Sequence, residues 1–168
     1  DIHSTWTDLR RQLVAGLHMG VAGIPWYTTD IGGFTGGWVD DPAFRELLVR
    51  WFQFGAFSPV MRLHGDRRPQ QPVATAAGEY RLESGADNEV WSYGPEIEET
   101  FVSYIRLREA LRPYTRALMA EAHEHGTPVM RGLFYEFPDD ACCWQVGDQF
   151  LFGADVLVAP VPVTQPTH

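Results

Sequence analysis

Apolar positions repeat with a helical period in three stretches of the chain and run together in several shorter ones. In "STWTDLRRQLVAGLHMG", Leu9, Leu13 and Leu17 share one face with Val14 beside them. Ser4 or Thr5 can cap that helix and Gly20 can end it. In "DDPAFRELLVRWFQFG", the stripe Phe44, Leu47, Leu48, Trp51 and Phe52 predicts a second helix, capped by Asp40 or Asp41 with Pro42 in its first turn. The stretch "GPEIEETFVSYIRLREALRPYTRALMAEAHEHG" predicts a long helix with acids in its first turn and Gly126 at its end. Pro113 must kink or split it.

Between these helices, "VAGIPWY" reads as a buried strand ending near Asp30, and "SPVMRLHG" as a short strand ending at His64. From Asp66 to about Tyr93 no period is clean, and Pro, Gln, Gly and Ala are common. So long a connection predicts an irregular loop of the kind that forms lids or substrate walls. Beyond Gly126, "TPVMRGLFYEF" and "QFLFGADVLVAP" predict strands of a different, helix-poor region. Helix and strand alternate through the first two-thirds, which predicts an α/β fold with parallel strands wrapped by helices. A doubly wound sheet and part of a (β/α)8 barrel both satisfy that order. Both gather ligands at the carboxyl ends of their strands, where Asp30 and His64 fall.

Composition narrows the partners. With 45% apolar and 21% charged residues the chain has an ordinary globular make-up, and 13% aromatics either fill a large core or line a site for flat ligands. A net charge of −9 without a local basic cluster excludes nucleic acid. All 13 bases are arginines, which removes a phosphate-loop lysine and any Schiff-base lysine. No signal segment and no apolar run of membrane-spanning length is present, so no membrane partner is expected. The adjacent Cys142 and Cys143 make no disulfide framework, and a reducing, cytoplasmic location is the expectation. Asp1 leads almost at once into a helix and "VAPVPVTQPTH" closes nothing, so the chain reads as a segment of a longer protein.

Each candidate group has a plain structural reading beside its chemical one. Asp30 is either a site carboxylate or a turn-former ahead of glycines, with Phe34 behind it as pocket wall or core. His64 gains weight from its place at a strand end beside Arg62, which itself reads as the holder of an internal ion pair. Gly32, Gly33, Gly36 and Gly37 lack the G-x-G-x-x-G spacing and following helix of a nucleotide cradle. His123 and His125 end a helix and point to different faces, and neither cysteine has a ligand-spaced partner. No metal or cofactor is expected. No G-x-S-x-G elbow supports a serine hydrolase.

Two motifs in succession, "WYTTDIGGF" and "RWFQFGAFSPVMRLHG", resemble the retaining α-glycosidases of glycoside hydrolase family 31, which include α-glucosidases and α-xylosidases. The resemblance continues through "ADNEVWSYG", "LRPYTRALMAEAHEHGTPVMRGLFYEFPDD" and "DQFLFGADVLVAPV", essentially the whole chain. It implies that residues 1–126 are the last two strand–helix units of a (β/α)8 catalytic barrel. Residues 127–168 would begin the β-sandwich domain that follows. In this family the general acid/base is the aspartate of a Ser-Gly-Asp turn, and Asp1 matches it. The nucleophilic aspartate lies on an earlier strand, so this segment alone would be inactive. His64 matches the histidine that hydrogen-bonds the sugar at the cleavage subsite; Asp30 and Phe34 match walls of that subsite, with Trp26 and Tyr27 near it. The implied partners are an oligosaccharide or α-glycoside substrate and the rest of the parent catalytic domain. Two strands cannot close a barrel, so a segment on its own would have to self-associate to cover its faces. A non-catalytic carbohydrate-binding relative that kept the scaffold is the alternative from another class.

Overall fold

The computed structural model describes residues 2–74 and 80–162. Helix α1 (Trp6–Val21) starts where the Thr5 hydroxyl accepts the Asp8 N–H at 3.1 Å, satisfying one of the orphan donors of the first turn. Leu9, Leu13 and Leu17 are buried along its inner face. Helix α2 (Pro42–Gly55) begins at Asp41, whose carboxylate accepts from Ala43 N at 2.9 Å, with Pro42 in the first turn. Its stripe of Phe44, Leu47, Leu48, Trp51 and Phe52 is buried, and Phe52 stacks on Phe101 with ring centres 3.9 Å apart. The long C-terminal helical stretch is split at Leu111 into α3 (Pro95–Ala110) and α4 (Arg112–His125). Pro113 sits in the first turn of α4, where its missing N–H costs nothing, and Gly126 ends α4 at φ +73°.

The two expected barrel strands take a sparser form. Segments 24–30 and 59–64 run parallel, joined by Val60 N to Tyr27 O at 3.0 Å, Ile31 N to Arg62 O at 3.2 Å and an Ile31–Leu63 bridge. Neither is a regular strand among the described residues. Pro25 and Pro59 have no N–H to give, so the ladder between them is interrupted. The period of two persists all the same: Tyr27, Thr29 and Ile31 are buried while Trp26 is exposed.

The stretch from Asp66 is not an irregular loop. Strand β1 (Thr35–Trp38) pairs in parallel with β2 (Asp66–Ala74), aligning Thr35 with Asp66 and Trp38 with Arg68. Strand β3 (Tyr80–Ala86) returns antiparallel to β2. Pro69, Pro72 and Gly85 mask the strand pattern in the sequence, yet pairing carries β2 through the two prolines and β3 through the glycine. Residues 75–79 of the expected loop lie outside the described residues. This sheet grows out of the carboxyl ends of the two parallel segments, one residue past Phe34 and one past Gly65.

After α4 a small antiparallel sheet forms from β4 (Met130–Arg131), β5 (Phe150–Phe152) and β6 (Val156–Val158), in that order. The strand expected over "TPVMRGLFYEF" is limited to Met130–Arg131, because a helical turn, α5 (Leu133–Glu136), follows at once. Phe134 of that turn stacks on Trp144 at 4.8 Å. Phe54 and Phe57 meet Phe150 and Phe152 edge to face, so the core is continuous from α2 into this sheet. Buried Arg131 donates to Pro128 O at 2.7 Å and pairs with Glu121 of α4 at 3.1 Å and with Glu136. Among the described residues no helix is long and apolar enough to cross a membrane.

Candidate active site

Asp30 ends the first parallel segment, and a turn through Gly32 (φ +90°) and Gly33 (φ +80°) closes with Gly33 N donating to Asp30 O at 2.8 Å. The start of the described chain is laced to this turn. Ile2 O accepts from Phe34 N at 2.8 Å and from Thr35 N at 3.0 Å, and Ser4 N donates to Thr35 O at 3.0 Å. A β-carbon on Gly33 would stand 2.7 Å from the His3 carbonyl and the Ser4 nitrogen, so glycine is required there. Gly33→Ala should cost about 1–3 kcal/mol of stability, read as a lowered melting temperature of the folded protein, through the positive φ and the clash with His3. An unchanged melting temperature would show that the N-terminal segment does not sit against the turn.

The Asp30 carboxylate is largely enclosed and forms an ion pair with Arg62. His64 Nδ1 lies 3.5 Å from the same carboxylate oxygen. The Phe34 ring stacks on the His64 imidazole, centroids 5.6 Å apart and planes 30° apart. Arg62 does hold the internal ion pair read from the sequence, but its own side chain is half exposed, not buried. Arg62 and His64 are thus both half exposed, and the enclosed Asp30 carboxylate anchors them. Such a set suits a polyhydroxylated ligand. The carboxylate accepts hydroxyl protons, the guanidinium and imidazole donate, and the phenyl ring covers an apolar face.

Trp26 lies on the Asp30 side of its segment by the strand period and is exposed. Tyr27 is not brought to the cluster. It points to the helix side, donates its hydroxyl to Gln12 O of α1 at 2.7 Å, and packs where a β-carbon on Gly16 would otherwise stand. Burial pushes its phenol well above the ordinary range. Asp1 lies outside the described residues. A groove of about 540 Å³ between α2 and α3, lined by Arg45, Tyr93 and Ile97 among others, includes none of these groups. No cluster of three or more His, Cys, Asp or Glu side chains among the described residues is arranged to hold a metal ion.

One residue bonded to this cluster was not singled out in the sequence. Arg67 is fully buried, with its guanidinium 5.2 Å from the centre of the Phe44 ring. It donates to Ile31 O at 2.8 Å, Gly33 O at 2.8 Å, His64 O at 3.1 Å and Asn88 Oδ1 at 3.1 Å. Burial lowers its affinity for its proton, and nearby Tyr93, Asp30 and Asp66 pull the other way. Arginine is ordinarily placed at the surface by pattern. The available signal was the glycine-rich chain around it, whose many carbonyls need a donor with several N–H groups.

Comparison with known proteins bears on the whole chain. Residues 1–118 match the family model described as "Glycosyl hydrolases family 31 TIM-barrel domain", and residues 126–168 that of the "Glycosyl hydrolase family 31 C-terminal domain". An alpha-xylosidase of Saccharolobus solfataricus is 35% identical over 161 residues, 96% of this chain and 20% of the relative. Alpha-glucosidase 2 of Bacillus thermoamyloliquefaciens is 38% identical over 174 residues, 100% of this chain and 19% of the relative. Among solved structures, a GH31 alpha-xylosidase from a soil metagenome complexed with xylose superposes with a TM-score of 0.92 at 56% identity. That match covers 97% of this chain and 24% of the other. The chain thus spans about a fifth of the length of these curated relatives.

Proposed function

The chain belongs to glycoside hydrolase family 31, and on that premise we propose that it supplies the acid/base side of the active site of a retaining α-glycosidase within a longer polypeptide. The observation that carries the reading is the convergence of Asp30, Arg62, His64 and Phe34 on one open face beside the start of the chain. Asp1 is joined by a single peptide bond to Ile2, whose carbonyl is bonded to Phe34 and Thr35. As general acid, Asp1 gives its proton to the leaving glycosidic oxygen while a second carboxylate attacks the anomeric carbon from the opposite face. The C–O bond to the leaving group breaks and a glycosyl ester forms. Asp1, now ionised, takes a proton from water as water displaces the ester. The nucleophile belongs to the part of the barrel that precedes Asp1. Asp30, Arg62, His64 and Phe34 hold the sugar at the subsite where cleavage occurs, with Trp26 at its margin. Residues 1–126 then form the last two strand–helix units of the barrel and residues 127–168 open the β-sandwich domain.

The substrate class is a terminal α-xyloside or α-glucoside, the sugars in the names of the relatives. The test is hydrolysis of aryl α-xyloside and aryl α-glucoside by the full-length polypeptide, with the first-formed anomer read by NMR. Retention of the α configuration is expected. Sugar binding without hydrolysis would leave only a carbohydrate-binding relative. His64→Ala should lower kcat/KM by about 10- to 100-fold, the loss of a hydrogen bond to a centre that develops charge. The melting temperature should hold, because the imidazole is half exposed. Undiminished turnover on the best substrate would remove His64 from the site.

A further inference from the structure

Arg67 has an unusual set of partners for a buried cation. No carboxylate bonds to it among the described residues; its acceptors are mostly main-chain carbonyls. Those carbonyls come from both segments that carry the site. Ile31 O and Gly33 O lie just after Asp30, and His64 O belongs to the histidine itself. The backbone has been cut away to admit the guanidinium. A β-carbon on Gly32 would stand 2.7 Å from Arg67 Nη2, and one on Gly65 would stand 2.8 Å from it. Asn88 closes the ring of acceptors and is held in turn by the Tyr93 hydroxyl at 2.6 Å. A planar fork with five fixed N–H donors can bridge two loops at set distances, which a lysine cannot. The two parallel segments share few hydrogen bonds of their own, so this bridge fixes their relative position beyond Leu63.

We propose that Arg67 is a positioning residue for the glycosidase reaction, a bracket whose guanidinium sets His64 and the turn after Asp30 in register with each other. The inference rests on the glycosidase reading above. It acts through His64, so its loss should be felt as misplacement of that imidazole and not as general weakening. Small displacements of a catalytic or binding group are costly, and Arg67→Lys in the full-length enzyme should lower kcat/KM by about 10-fold or more, up to the loss expected on removing His64. The melting temperature should fall by only a few degrees. On a His64→Ala background the same change should cost less than about threefold, because two residues that act as a unit are not additive. Full additivity of the two losses would overturn the proposal, as would a kcat/KM within about twofold of wild type. Crystallography of Arg67→Lys supplies a readout independent of activity. A shifted His64 and Gly32–Gly33 turn is expected, and geometry unchanged from wild type would overturn the role. A wild type that hydrolyses no α-glycoside would instead sink the functional reading, leaving the structural comparison to decide the bracket. Should Arg67→Met not accumulate as folded protein, the lysine variant, which keeps the charge, carries the test alone.

Discussion

Asp1→Ala should lower kcat/KM on substrates with poor leaving groups by about 10²- to 10⁴-fold, the range of a general acid–base contribution. The loss should shrink on aryl α-glycosides with good leaving groups, because those depart with little help from a proton. With such substrates the second step becomes limiting, and a burst of released phenol should precede slow turnover. Added azide should restore the rate, since an anion attacks the glycosyl ester without a general base. The product should be the α-glycosyl azide, with the configuration kept through two displacements. Equal losses on both leaving groups, with no response to azide, would place the acid elsewhere. The structural ground is the lacing of Ile2 to Phe34 and Thr35, which ties the beginning of the chain to the turn after Asp30.

The second large effect is expected at Asp30. Its carboxylate is the common partner of Arg62 and His64, so its removal frees two donors at once. Hydrogen bonds from sugar hydroxyls to an ionised carboxylate are charge-assisted, and bonds that strengthen in the transition state supply several kcal/mol. Asp30→Ala should therefore lower kcat/KM by about 10²- to 10³-fold, near the cost of deleting a preorganised electrostatic contact in an active site. Asp30→Asn, which keeps the shape and loses the charge, should recover only a minor part. The fold should survive both, because Arg62 is half exposed and water can solvate it once its partner has gone. Steady-state kinetics and thermal melting on the same preparations decide the matter. A kcat/KM for Asp30→Asn equal to wild type would assign Asp30 to the turn alone.

Helices were read almost residue for residue because their signals are local. Thr5, Asp41 and Gly126 do what caps and stops do, and the buried stripes match the apolar period. Pro113 announced the break between α3 and α4. Strands fared differently, since pairing partners are remote and side-chain pattern reports them poorly. The segments ending at Asp30 and His64 lie side by side as read, but the prolines at 25 and 59 thin their ladder. The hairpin of β2 and β3 was invisible because Pro69 and Pro72 look like loop residues. Asp30 and His64 stood out from their position after apolar runs and Phe34 from its place after the glycine turn, and the three side chains meet. Tyr27 lies one step of the strand period away from the Asp30 side, which turns it toward α1. Arg67 was hidden because a buried cation satisfied by carbonyls leaves no charge pattern in sequence.

The seam between the two family units offers a lesson for protein engineering. Phe54 from α2 and Phe57 from the turn after it interlock with Phe150 and Phe152, and Arg131 clasps α4 to the following sheet. Grafting the region after Gly126 from one relative onto another would split a single hydrophobic interior. Successful chimeras of this scaffold should therefore exchange matched helix faces together with the sheet, and not domains cut at the linker.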